Sequence, residues 1–255
     1  MGTRTVVADV ADELARRVAT GEYRPGDLMP SVRQVAEEFG MNRATAQLTL
    51  GRLESYGFVE ARRGKGFTIR DVREDGSMDA YRHLFRFSIT APGVAAEMFA
   101  DIVEVERAIV LEALLAYTGG EKVLDPVELA AAVDELEALA REAVPDHARI
   151  ITAEVALVRR VLGVLGMSMQ RAVLNSITDM VLEVPEAVTA YFAVAADLHV
   201  LVWRALLAVW DADTGPTEAQ LALFADLFAL FHEKVIARFD ALVGLGAVDT
   251  VAATA

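Results

Sequence analysis

Apolar positions recur every three to four residues through most of the chain, a spacing that predicts amphipathic helices. The first run predicts a helix over Thr5–Ala19. A second helix is predicted to begin at Ser31, which can cap it while Gln34 reaches back, and to end at Gly40. A third is predicted over Asn42–Ser55, with Asn42 as its N-cap.

The pattern then changes from helical spacing to alternation. Phe58–Ala61 and Phe67–Arg70 alternate like short strands on either side of a glycine-containing basic turn. Three helices followed by such a hairpin are typical of a winged helix-turn-helix. We therefore predict a DNA-binding domain over residues 1–72.

Residues 73–93 carry charges, glycine and proline and are predicted to be a linker with a short helix around Met78–Phe87. From residue 94 the pattern is helical throughout, which predicts a second domain over 94–247. Its predicted helices are Val94–Tyr117, Val127–Ala143, Asp146–Leu165, Met167–Leu182, Pro185–Trp210 and Glu218–Val243. The predicted fold class is thus mainly α: an N-terminal winged helix-turn-helix and a C-terminal all-α antiparallel bundle of about six helices.

Charge is distributed unevenly between these parts. The whole chain carries −14, yet residues 1–70 hold 11 basic and 9 acidic side chains, and residues 41–70 hold 6 and 2. Positive charge therefore concentrates in the segment of the third helix and the hairpin, as DNA binding requires. The acidic remainder, at −16, is expected to stay away from phosphates and argues against nonspecific coating of DNA.

Composition excludes several further classes of protein and of chemical site. The absence of cysteine excludes disulfides, thiol catalysis and cysteine-ligated zinc fingers. The most apolar stretch, residues 190–210, contains Asp197, His199 and Arg204, so no membrane span is predicted. Asp9 and nearby acids leave no apolar core for a signal peptide, so a cytoplasmic protein is expected. Apolar residues make up 54% of the chain, which indicates a ligand cavity or an apolar subunit interface.

The third helix has the surface that a recognition helix needs, because polar groups occupy its first turns. The candidates for base contact are Asn42, Arg43, Thr45 and Gln47. Arginine can donate two hydrogen bonds to guanine, and glutamine can pair with adenine. Arg63, Gly64 and Lys65 at the hairpin tip suit contact with phosphates or a narrow minor groove. Lys65 could instead be an ordinary turn lysine.

The run from Gly21 to Ile69 closely resembles the GntR family of regulators in residue order and spacing. The resemblance rests on Pro25-Gly26, Leu28-Met29-Pro30-Ser31, Arg33, Val35-Ala36, Gly40-Met41-Asn42-Arg43, Leu53, Tyr56-Gly57-Phe58-Val59 and Arg63-Gly64-Lys65-Gly66-Phe67. It implies that Arg33, Asn42, Arg43, Thr45, Gln47 and Arg63–Lys65 contact DNA, although Arg33 could be an ion-pair partner. Met29 and Asn42 depart from the usual family pattern, which leaves the operator sequence open.

Beyond residue 93 the chain resembles the FadR subfamily, whose sensor domain is a helical bundle. One branch of that subfamily holds a divalent metal through an acidic residue and three histidines, and the metal helps to bind a carboxylate. By that resemblance the first part of the pattern falls on Glu154–Val158, where valine replaces a histidine, while His199 and His232 match the later histidines. We therefore predict no metal and no cofactor, with His199 and His232 as ligand contacts or core residues.

The other branch resembles a fatty-acid regulator that binds acyl-CoA. The predicted effector is an apolar molecule with a polar or anionic head, with a fatty acyl-CoA or a fatty acid favoured. Arg107 is expected to meet that head, with Glu154, His199 and His232 nearby and Tyr191 and Trp203 along the tail. Arg107 could instead form a salt bridge within its helix, and the aromatic residues could be core. A small carboxylate, with or without a metal, is the alternative effector.

These features predict a sequence-specific transcription regulator that binds a palindromic operator as a homodimer. No nucleophile–base pair, phosphate loop or zinc-protease motif is visible, so catalysis is not expected. Repression is favoured over activation, because release of two recognition helices by a ligand requires no contact with polymerase.

Overall fold

The computed structural model describes residues 5–121, 123–212 and 214–244. The chain divides into two compact units, with the boundary between Ala95 and Ala96. The last residues of the predicted second domain, 245–247, lie outside the described ranges.

The first unit begins with the three predicted helices, α1 (Val6–Ala19), α2 (Val32–Glu38) and α3 (Arg43–Ser55). Their starts are set by local hydrogen bonds. Ser31 and Gln34 form a complete capping box at α2, and the side chain of Asn42 accepts the backbone N–H of Thr45 at 2.8 Å to start α3. Leu14, Leu50 and Leu53 are fully buried, so α1 and α3 share one core.

A two-stranded sheet follows α3. β1 (Val59–Arg62) pairs antiparallel with β2 (Gly66–Ile69), with Val59 opposite Ile69. The strands lie within one residue of the predicted ones. Gly64 has φ 76° and Gly66 has φ 102°, left-handed conformations that glycine adopts without strain and that close the tip of the hairpin.

The segment predicted as a linker is largely helical and belongs to the first unit. It forms α4 (Val72–Asp75) and α5 (Met78–Ser88), and α5 packs against α1. The reason is burial: Leu84, Phe85 and Phe87 lie in the core. Gly57 closes α3 with φ 84°, and an added Cβ there would lie 2.6 Å from the Cβ of Ala80 on α5.

The second unit is a helical bundle. It contains α6 (Pro92–Gly119, whose first turn precedes the boundary), α7 (Pro126–Ala140), α8 (His147–Val164), α9 (Ser168–Leu182), α10 (Pro185–Tyr191), α11 (Ala196–Asp211) and α12 (Glu218–Val243). Strands are found only in the first unit within the described ranges, which confirms the predicted fold class.

The predicted helix Pro185–Trp210 is wrong, because the chain breaks between Tyr191 and Ala196 and bends by 57°. The break carries neither glycine nor proline, so the sequence pattern gave no sign of it. The ring of Phe192 stacks on His147 at 3.8 Å and on His199 at 4.9 Å between centroids. Packing of this kind overrides local helix propensity.

Long apolar side chains fill the centre of the second unit. Ile150, Val161 and Leu136 are fully buried, and Phe99 stacks on Phe239 with ring centroids 4.0 Å apart. No single helix in the described ranges is long and apolar enough to cross a membrane, and only the bent pair of α10 and α11 reaches that length and composition when the two are taken together.

Candidate functional site

The N-terminal turn of α3 and the hairpin tip border one groove in the first unit. The groove encloses about 480 Å³ and is lined by Arg33, Arg43, Gln47 and Lys65 with Pro30, Ser31, Val32, Gly66 and Phe67. Four of the predicted DNA contacts therefore share one surface. Asn42, Thr45, Arg63 and Gly64 do not line the groove.

The basic and amide groups of this groove are available to a partner. Arg43, Gln47 and Lys65 are exposed, and their side chains make no ion pair or hydrogen bond within the described part of the chain. Arg33 lies 3.8 Å from Glu37 across an exposed pair, which is a weak interaction. Arg43 and Gln47 on the capped helix and Lys65 on the hairpin thus present their polar groups to solvent on one surface. Such a surface can bind an anionic polymer.

The side chains of Asn42 and Thr45 form hydrogen bonds within the protein rather than lining the groove. Asn42 Oδ1 accepts from the backbone N–H of Thr45 at 2.8 Å and lies 3.1 Å from the hydroxyl of the same residue. Both side chains therefore stabilise the start of α3, which positions Arg43 beside them.

One exposed side chain on α3 was not named from the sequence. Leu48 is 65% exposed although it is a large apolar residue, and it follows Gln47 directly. Apolar side chains on recognition helices contact the methyl group of thymine. A helical pattern treats such a leucine as a core residue, so only its observed exposure reveals it.

The second unit contains an apolar cavity of about 580 Å³. This volume lies within the range of small-molecule sites. Glu154, Tyr191, His199, Trp203 and His232 all line it, so five of the six predicted effector contacts meet there. Val158, at the position where the resemblance calls for a histidine, lines it as well.

Arg107 does not line this cavity. Its neighbour Glu106 does, because consecutive residues of a helix point about 100° apart. The predicted contact between Arg107 and an anionic head therefore lacks support from its position. Glu106 was missed by the sequence analysis, because an acidic residue in an acidic helix gives no pattern of its own.

Two pairs of an acidic residue and a histidine lie at the polar part of the cavity. His199 Nδ1 lies 2.9 Å from Glu154 Oε2. His232 Nε2 lies 3.0 Å from Glu106 Oε2, and its Nδ1 lies 2.7 Å from the Phe228 carbonyl. Both ring nitrogens of His232 therefore have a partner within the protein.

Burial and charge set the ionisation of this cluster. Burial lowers the pKa of His199, but the carboxylate of Glu154 and a hydrogen bond to the backbone of Tyr191 together raise it by more, so the net pKa lies above its ordinary value. Burial and the nearby carboxylates of Glu106 and Glu154 hold the pKa of Tyr191 well above its ordinary value. Tyr191 thus keeps its proton.

The described ranges contain no group of three histidine, aspartate or glutamate side chains that could hold a metal ion. His199 and His232 are instead each paired with a different glutamate. The four side chains form two separate pairs rather than one coordination sphere.

Comparison with known proteins bears on the first unit. Residues 7–69 match the family model of bacterial regulatory proteins, gntR family. The HTH-type transcriptional regulator Mce2R of Mycobacterium tuberculosis is 40% identical over 84 residues, 32% of this chain and 35% of the relative. The repressor MngR of Escherichia coli, of the mannosyl-D-glycerate transport/metabolism system, is 30% identical over 73 residues, 29% of this chain and 30% of the relative.

The match thus spans about a third of these relatives' length. The solved structure of Lar, which controls expression of the Listeria monocytogenes agr system, aligns over 95% of this chain and 97% of its own, with 16% identity and a TM-score of 0.44. The matched residues 7–69 contain the whole groove described above. The similarity to the gntR family of bacterial regulatory proteins therefore covers residues 7–69, which lie within the first unit.

Proposed function

We propose that this protein is a sequence-specific DNA-binding transcription regulator. The observation that carries the proposal is the groove that gathers Arg33, Arg43, Gln47 and Lys65 at the start of a capped helix and beside a hairpin tip. This arrangement presents base-reading groups and phosphate-binding groups together. Its place within the segment that matches the family model supports the same conclusion.

The proposal is tested by selecting binding sites from a random DNA pool with the full chain. We expect enrichment of an inverted repeat, and protection of one or a few genomic sites by the protein. Uniform protection along DNA, with no enriched sequence, would favour an architectural protein instead.

We further propose that the protein acts as a homodimer. A single winged helix domain contacts too few bases to define a unique genomic site, whereas two half-sites double the contacts. We expect a dimer of the full chain in sedimentation at micromolar concentration, and binding that requires both half-sites. A monomer that binds a single half-site with the same affinity would refute this.

The regulator is proposed to respond to a small molecule in the cavity of the second unit, and repression released by that molecule is the favoured mode. The cavity's size and apolar lining support ligand binding, and the relative MngR is a repressor. Membership of the FadR subfamily and an acyl-CoA or carboxylate effector stay predictions. Arg107, the residue expected to bind the anionic head of such an effector, does not line the cavity.

A further inference from the structure

Helix α3 has one side in the core and one side in solvent. Ala46, Leu50 and Leu53 are fully buried. Leu48 lies about 160° from Ala46 and about 140° from Leu53 around the helix axis, since a turn contains about 3.6 residues. Its side chain therefore stands on the side of α3 that faces away from the core, where it is 65% exposed.

Within the described part of the first unit, Leu48 is the one large apolar side chain that is exposed in the interior of a helix. Val6 and Met78 are also exposed, but they are the first residues of α1 and α5. Leu28 lies in a turn that bridges to Thr68. Element ends and turns lie at the surface whatever their residue type, so the exposure of Leu48 alone belongs to a helix face.

Small residues flank Leu48 on this face. Residues three and four positions apart are neighbours on a helix surface, and two such neighbours of Leu48 are Ala44 and Gly51. Ala44 is exposed, and a Cβ on Gly51 would have no atom within 4 Å. The longer side chain of Arg52 donates to the hydroxyl of Tyr56 at 2.8 Å. The backbone of α3 can therefore approach a partner closely beside Leu48.

The groups expected to hydrogen-bond to bases lie next to this face. Arg43 and Gln47 line the groove, whereas Leu48 follows Gln47 in the chain and lies outside the lining. Of the four bases, only thymine presents an apolar group, its 5-methyl, in the major groove. An exposed leucine on a helix that enters this groove therefore has one apolar partner on the base edges.

We propose that Leu48 is a specificity-determining residue that contacts the methyl group of one thymine in each half-site of the operator. The inference rests on the proposed function, since it requires an operator. Leu48 lies five residues from Arg43, or about 7.5 Å along α3, and base pairs are spaced about 3.4 Å apart. The thymine is therefore expected within about three base pairs of the base that Arg43 contacts.

The test uses the full chain and the operator selected from the random DNA pool. Each thymine of one half-site, together with its equivalent in the other, is replaced by deoxyuridine, which removes the methyl group and keeps the base pair. We expect one pair of positions at which affinity falls about 15-fold, because one buried methyl group contributes about fourfold in each half-site. Thymines farther from the base contacted by Arg43 are the internal controls, and their replacement should leave affinity unchanged.

Leu48→Ala identifies the protein side of that contact. The variant should lose at least the same factor on the thymine operator and should bind the thymine and deoxyuridine operators equally, because both changes remove one interaction. The fold should persist, since Leu48 is exposed and alanine favours helix, and circular dichroism checks this. Val6→Ala is the matched control, because Val6 is 61% exposed at the start of α1. It should keep the full preference for thymine.

The outcomes separate this inference from the proposed function. Selection of no sequence from the pool would refute both. A selected operator that binds equally well with thymine and with deoxyuridine at every position near the Arg43 contact would overturn the role of Leu48 and keep the regulator. A Leu48→Ala variant that still prefers thymine by the full factor would have the same meaning.

Discussion

Arg43→Ala is expected to lower the affinity for the selected operator by about 1–3 kcal/mol and to relax base preference at one position in each half-site. Arg43 opens α3, is exposed, and has no ion-pair partner among the described residues. Its guanidinium can therefore donate two hydrogen bonds to the edge of a guanine. Gel-shift titration against the operator and its single-base variants measures the loss.

Lys65→Ala is the matched comparison in the same groove. Lys65 sits in the turn between β1 and β2, where contact with phosphate is expected. Its loss should weaken binding evenly on all sequences and reduce the slope of log affinity against log salt by about 1. If Arg43→Ala weakens binding to the operator and to random DNA equally, Arg43 does not read a base.

Gly57→Ala is expected to lower the free energy of unfolding of the first unit by about 2–4 kcal/mol. Two costs add: a left-handed φ of 84° is unfavourable for a residue with a Cβ, and the new Cβ would lie 2.6 Å from the Cβ of Ala80. Gly57 joins the end of α3 to β1, and Ala80 of α5 lies against this junction.

Gly21→Ala isolates the first of these costs. Its φ of 79° is nearly the same, but no atom lies within 4 Å of the added Cβ. We expect about 1–2 kcal/mol for this control. Denaturant unfolding followed by circular dichroism measures both variants, and equal losses would show that the contact with Ala80 relaxes at no cost.

The helices and strands of the first unit could be predicted closely from the sequence, because interactions between residues near each other in the chain determine where they begin and end. The capping box of Ser31 and Gln34, the Asn42 cap and the glycines of the hairpin each act within three or four residues. A reader of the sequence can therefore place the start of α3, and with it Arg43, without knowing the tertiary structure.

The helical unit was predicted less well because its decisive contacts join distant parts of the chain. Phe192 is stacked between His147 and His199, and this packing accompanies a helix break that no residue type marks. Glu106 meets His232 across 126 positions. The pattern of a single sequence shows neither of these contacts between distant residues. The polar end of the cavity was therefore expected around Arg107 rather than around Glu106.

The placement of the two tryptophans has a practical consequence. Trp203 and Trp210 are the only tryptophans of the chain, and both belong to the second unit. Trp203 lines the cavity, and the indole of Trp210 donates to the hydroxyl of Thr118 at 2.9 Å. Intrinsic indole fluorescence is therefore a native optical probe of the helical unit. It can report occupancy of the cavity through Trp203, and the first unit, which has no tryptophan, does not contribute to the signal.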